Sequence, residues 1–160
     1  MATPADAPRL RTARAADFDP LGRVMFDAVH GGDSPYDAGQ RAAWVAEPRR
    51  GEPWHARLAA QHVVLAEDAH GAPVGFMSLA AGGYIDFAYI LPGARGTGLF
   101  RRLLTAIEEV AQHAGARRLW VHASLMAEPA FAASGFVVLD REEVTIGDQR
   151  LARCTMERAG

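Results

Sequence analysis

Residues 84–124 leave the chain few ways to fold. They read YIDFAYIL, PGARGTG, LFRRLLTAIEEVAQHAG and ARRLWVHAS in succession. The first and last segments are short apolar runs rich in aromatic and branched residues, so they read as strands. Between them, Leu99, Leu103, Ala106, Ile107, Val110 and Ala111 recur at helical spacing on one face. Arg101, Arg102, Thr105, Glu108 and Glu109 fall on the other face. Gly115 ends this helix, expected over 98–113, as a C-terminal glycine does. Strand, helix and strand in one sheet require a crossover, which gives parallel strands and a right-handed connection. The fold must therefore contain a parallel pair, 84–91 and 117–124, whose helix is entered through a glycine-rich bend.

The remaining pattern fits around that unit. RLRTARA (9–15) reads as a first strand after a loose tail at Met1–Pro8. Asp17 is placed to cap a helix with Pro20 in its first turn, and Leu21, Val24, Met25, Ala28 and Val29 form its apolar face. HGGDSPYD breaks the pattern, and short helices are expected at Asp37–Val45 and Pro53–Ala60. HVVLAED (62–68), VGFMSLA (74–80) and YIDFAYIL (84–91) form two successive hairpins. EPAFAASG is a short helix closed by Gly135, and two last strands turn at Gly147-Asp148. The whole reads as one mixed α/β domain over 1–160.

Composition removes several function classes. All 17 basic residues are arginine, so no lysine is present for a Schiff base or a phosphate-loop motif. The net charge of -2 argues against a nucleic-acid partner. No apolar run approaches the roughly 20 residues that span a bilayer. With Cys154 the only cysteine and no signal-like start, a reducing, cytoplasmic setting is expected. The six histidines show no paired-ligand spacing, so no metal is expected.

The bend PGARGTG has chemistry of its own. A helix start presents unpaired amides and a positive dipole end, which suit an anion. Glycines let the backbone approach a phosphate, and Arg95 adds a cationic fork. A dinucleotide fingerprint fails, because Arg101 stands where its third glycine belongs and the unit comes late in the chain. By itself the bend remains compatible with an ordinary turn before a helix.

In wider context, YILPGARGTGLFRRLLTAIEEVAQHAGARRLWVHAS resembles the cofactor-binding core of the GNAT superfamily of N-acetyltransferases. Arg95, Gly96 and Gly98 match its loop, and FAASGF (131–136) matches its later aromatic-x-x-x-Gly-Phe segment. Phe100 stands where the family usually has Gly or Ala. SPYDAGQRAAW, AEDAHGAPVGFMSL and the C-terminal hairpin are similar to a group of small bacterial members, the YafP-like group. The resemblance implies a mostly antiparallel sheet with a central parallel splayed pair that admits acetyl-CoA. Backbone groups of Ala88, Tyr89 and Ile90 would bond the pantetheine arm. Amides of Arg95, Gly96, Thr97, Gly98, Leu99, Phe100 and Arg101 would hold the pyrophosphate.

The same resemblance implies acetyl transfer and says little about the acceptor; a primary amine of a small molecule is the expected one. Asp86 is its base candidate, sharing a strand face with Tyr84 and Ala88. An amide near Ala88 or Tyr89 would receive the oxyanion. Phe131 replaces the tyrosine that often protonates the thiolate, and is expected to line the thioester pocket. Ser124 stands near a frequent Asn position and could order a water, and His122 is a packed or exposed neighbour. Tyr36, Trp44 and Trp54 are candidate walls for the acceptor, near an acidic tilt from Asp33, Asp37, Glu47 and Glu52. Two alternatives stay open: a module that binds acyl-CoA with little turnover, and acetylation of a protein or peptide. A homodimer is compatible with the resemblance.

Overall fold

The computed structural model describes residues 7–159. The expected tail at 1–8 lies, for residues 1–6, outside the described residues. In chain order the elements are β1 (Arg9–Thr12), α1 (Phe18–His30), α2 (Ala38–Trp44), α3 (Glu52–Ala59), β2 (His62–Glu67), β3 (Pro73–Ala80) and β4 (Tyr84–Ile90). They continue as α4 (Leu99–His113), β5 (Arg118–Ser124), α5 (Glu128–Ala133), β6 (Val137–Ile146) and β7 (Gln149–Ala159). The strands make one seven-stranded sheet in the order β1-β2-β3-β4-β5-β7-β6. Neighbours are antiparallel except β4 and β5, which are parallel as the crossover requires.

Helices cover both faces because the sheet is apolar on both. On one face α4 buries Leu99, Leu103, Leu104 and Ile107 against Met77, Ile85 and Val121. On the other, α1 buries Leu21, Val24, Met25 and Val29 against Phe76 and Phe87, with Trp54 and Leu58 of α3 beside them. Trp54 is a core residue here rather than a pocket wall, and its indole N–H donates to Phe18 O at 2.6 Å.

Asp17 differs from its expected role. It makes no side-chain cap on α1. Its carboxylate accepts two 2.8 Å bonds from Arg11 and one of 2.7 Å from the Arg14 amide. Arg11 also donates to Glu67 at 3.0 Å, so one guanidinium ties β1 to the following turn and to β2. The strand stops at Thr12, short of the expected Ala15, because Ala15–Asp17 wind into a 3-10 turn. Asp37, by contrast, caps α2 in a reciprocal box with Gln40.

Two irregularities shape the middle of the sheet. Between the pairs Met77↔Ala88 and Leu79↔Ile85 the register shifts, so Asp86 and Phe87 of β4 oppose Ser78 alone. The fully buried Ser78 hydroxyl accepts the Phe87 N–H at 3.1 Å, satisfying an amide the ladder leaves over. Then β4 pairs with β5 only at Tyr84↔Trp120 and Ile85↔Val121, although both strands continue. From Asp86 to Ile90 the β5 side of β4 has no strand partner, and a gap opens between the parallel strands.

Candidate active site

The gap leads into two adjoining cavities. The larger, about 560 Å³, lies at the α4 start and includes Ala88, Ile90, Gly96, Gly98, Phe100 and Met126 in its wall. The smaller, about 170 Å³, lies on the α1 side. Trp44, Tyr89 and Ser124 border both, so the cavities meet across the open strand pair.

The glycine bend is built to leave its amides bare. Gly96 and Gly98 have φ of 74° and 83°, a region costly for residues with a Cβ. A Cβ added at either would meet nothing within 4 Å, so their faces are open. Among the described residues, the amides from Gly96 to Arg101 have no acceptor; the first bond of α4 is Arg102 N to Gly98 O. The Arg95 amide is already bonded to Pro92 O at 3.3 Å. Together the free amides and the positive end of α4 form an anion cradle, and the residues present fit a pyrophosphate.

Arg95 does not extend its fork into that cradle. Its Nε donates to Ile90 O at 3.0 Å and its Nη2 to Ala28 O at 2.8 Å. Burial pulls its guanidinium below the ordinary value. It is a strut from the bend to α1, and it shares the wall of the larger cavity with Arg101, which is likewise exposed.

Asp86 lies in the wall of the smaller cavity with its side chain only 7% exposed. Arg57 of α3 grips it with two bonds, Nη2 to Oδ1 at 2.8 Å and Nε to Oδ2 at 2.9 Å. Gln61 Nε2 adds a third at 2.6 Å. The Arg57 guanidinium also stacks over Phe87 at 4.6 Å, and its bond to Asp86 raises its pKa. Gln61 leaves its own Oε1 buried without a partner among the described residues, a penalty of about 1–3 kcal/mol carried to hold this carboxylate.

The expected face-sharing of Tyr84, Asp86 and Ala88 holds for the first two only. Ala88 packs toward the α4 core, whereas Asp86, Phe87 and Tyr89 border the smaller cavity. The bulge at Ser78 puts two consecutive residues on one side and shifts the alternation after them.

Tyr36 and Trp44, expected as acceptor walls, both border the smaller cavity. Tyr36 Oη donates to Ala152 O at 2.5 Å and accepts the Leu125 N–H at 2.8 Å, tying the loop before α2 to β7 and to the end of β5. Burial raises its pKa. Ser124 Oγ accepts the Ala127 amide at 3.2 Å and still borders both cavities. His122 lies in the smaller cavity within 3.1 Å of Thr155 Oγ1, and burial lowers its pKa, which favours the neutral ring.

Phe131 is displaced from its expected place. It is fully buried, packed edge-on against Phe100 and Phe136 at 5.0 Å each, and borders neither cavity. Phe100 lies between it and the cleft, so Phe131 supports the wall from behind. The expected acidic tilt also disappears: Asp37, Glu47 and Glu52 border neither cavity, and Asp33 borders only the larger one. Among the described residues, no group of three or more His, Cys, Asp or Glu could hold a metal ion.

Sequence reading missed Arg49, Arg57, Ser78 and Arg153. Arg57 and Ser78 meet their partners 29 and 9 residues away, so no local spacing marks them. Gly22 did carry a signal, being a glycine inside a helical pattern. A Cβ there would lie 1.8 Å from Arg49 O, so the missing side chain is what lets the segment bearing Arg49 cross α1.

Comparison with known proteins agrees with this architecture. A GCN5-related N-acetyltransferase from Rhodopseudomonas palustris superposes with a TM-score of 0.88 at 29% identity, over 99% of both chains. A putative acetyltransferase, yncA, from Salmonella typhimurium with its cofactor acetyl-CoA gives 0.65 at 22% identity, over 95% of this chain and 93% of that one. A phosphinothricin acetyltransferase from Sinorhizobium meliloti in complex with acetyl-CoA gives 0.69 at 21%, over 96% and 88%. No curated protein matches the chain. The acetyltransferase (GNAT) domain family model matches residues 34–149, from the loop before α2 to the first residue of β7. The chain belongs to the GNAT acetyltransferase family.

Proposed function

We propose that this protein moves an acetyl group from acetyl-CoA to a primary amine of a small molecule. One observation carries the reading: the anion cradle and the smaller cavity meet at Trp44, Tyr89 and Ser124, across strands that part after Ile85. A thioester held from the cradle side would present its carbonyl where the cavities join. In the smaller cavity, below the roughly 300–1,000 Å³ of drug-sized sites, a compact acceptor would approach from the opposite side. We also infer, from the similarity of SPYDAGQRAAW and the C-terminal hairpin, that the chain falls in the YafP-like group of small bacterial members.

In this reading the bare amides from Gly96 to Arg101 hold the pyrophosphate, and the backbone of Ala88, Tyr89 and Ile90 bonds the pantetheine arm. The amine nitrogen attacks the thioester carbon. An amide near Ala88 or Tyr89 steadies the oxyanion. The carbon–sulfur bond then breaks and the thiolate leaves. The amine must first lose a proton, since a free alkyl ammonium has a pKa of about 10.4. Asp86 receives it directly or through a water, with Arg57 and Gln61 fixing the direction of its oxygens. Ser124 borders the place where the sulfur would lie and can hold a water that returns a proton.

Two features favour a second reading, a module that binds acyl-CoA with little turnover. Both Asp86 oxygens are already engaged, and Phe131 has no proton to give. Thiol release from acetyl-CoA with a panel of small amines separates the two. Amine-dependent release supports transfer. Stabilisation by acetyl-CoA without release on any amine, peptide or protein supports the binding module.

A further inference from the structure

We propose that the acceptor amine carries an acid group, a carboxylate in the first instance, and that Arg49 receives it. The inference deepens the reading above and rests on the smaller cavity being the acceptor site. Its wall contains three arginines, Arg49, Arg57 and Arg153, but a single carboxylate, Asp86. His122 adds no further positive charge, because burial favours its neutral form. A plain cationic amine would enter an excess of positive charge. An amine with its own acid group would meet a guanidinium and bring no net charge.

The three arginines are not equivalent. Arg57 is committed to Asp86 through two nitrogens. Arg153 is held at its Nε by Glu142 at 2.7 Å, which lies outside the cavity wall. The Arg49 side chain makes no hydrogen bond or ion pair among the described residues; its nearest charge-related contact is the Trp54 ring at 6.0 Å. Its backbone is placed, since Arg49 crosses α1 at Gly22, where any Cβ would strike the Arg49 carbonyl, and its side chain borders the smaller cavity from there. A guanidinium without a hydrogen-bond partner among the described residues, on the wall of a small cavity, is suited to the two parallel bonds a carboxylate offers. Asp86 lies in the same wall, so acid and amine of one molecule would find opposite partners within one small space.

The test compares L-amino acids with the corresponding amino-acid amides. The amide amine loses its proton more easily, because no carboxylate holds it there. A preference for the acid therefore cannot arise from amine basicity. Two readouts are needed: thiol release from acetyl-CoA, and calorimetric binding of the same compounds to protein loaded with CoA. At least one amino acid should exceed its amide tenfold or more in kcat/KM and in affinity. Arg49→Ala should raise the acid's KM about tenfold, the loss of about 1.4 kcal/mol of binding, and bring the acid-to-amide ratio close to one. Arg49→Lys should recover part of it. Arg117→Ala removes an exposed arginine outside both cavities and should change neither quantity. Acid-selective binding that needs Arg49, without thiol release, would sustain Arg49 as the receiver of an amino acid's carboxylate but remove the transfer reading, and with it that ligand's role as acceptor. Turnover with amides equal to or better than acids would remove this proposal and leave transfer intact. Absence of binding and turnover for every amino acid also overturns it.

Discussion

At the residue scale, Asp86 and Gly98 separate chemistry from binding. Asp86 borders the smaller cavity only, whereas Gly98 belongs to the cradle. Asp86→Asn keeps the shape but removes the proton acceptor. Turnover should fall by about 10²–10⁴, the usual contribution of general-base catalysis, while the affinity for acetyl-CoA measured by calorimetry stays near wild type. An unchanged kcat would take Asp86 out of the mechanism. Gly98→Asp places a Cβ at φ 83° and a negative charge among the bare amides. Acetyl-CoA binding should be lost, and retained affinity would contradict the cradle assignment.

At the scale of elements, the bulge in β4 is the decisive local feature. It is held by Ser78, whose hydroxyl accepts the extra amide at 3.1 Å in a fully buried setting. Ser78→Ala should cost about 1–3 kcal/mol, the penalty of an unsatisfied buried N–H, read as a lower melting temperature. Because the bulge aims Asp86, kcat should fall as well, and an unchanged melting temperature would mean the hydroxyl is not needed. The edge strand β1 offers a pH test. Bonding to Arg11 holds the Asp17 carboxylate below its ordinary value, so the pair stabilises the fold above the unfolded carboxylate range and loses this as pH falls through the folded value. Asp17→Asn should lower stability at neutral pH by about 1 kcal/mol or less, given partial exposure. Chemical denaturation at a series of pH values should show the difference shrinking below about pH 4, where ordinary aspartates protonate.

Across the whole molecule, two cores grip one sheet from opposite faces, and the site lies where the sheet parts between them. Arg95 joins the sides by linking the end of β4 to α1, and Tyr36 joins the loop before α2 to β5 and β7. A ligand bridging the cradle and the gap should therefore stabilise the assembly as a unit. At 100 times its dissociation constant, acetyl-CoA should add about 2.7 kcal/mol. For a domain of this size that raises the melting temperature by about 5–10 °C. Thermal scans with and without acetyl-CoA measure it, and no shift at saturating concentration would count against the shared cleft.

What the sequence determined by itself was everything that local periodicity encodes. The helix at 99–113, its glycine entry, the flanking parallel strands and the terminal hairpin were legible because neighbours along the chain set them. The cradle was legible for the same reason, since a helix start and its amides lie within a few residues of each other. The acceptor side was not. Arg57 of α3 reaches Asp86 on β4, Ser78 turns Phe87 from another strand, and Gly22 makes room for the Arg49 backbone across a helix crossing. Only the tertiary structure decided these, because each depends on side chains brought together by packing over distances that no periodicity spans. Phe131 shows the same limit: its sequence position suggested the pocket, and the packing of Phe100 in front of it placed it in the core.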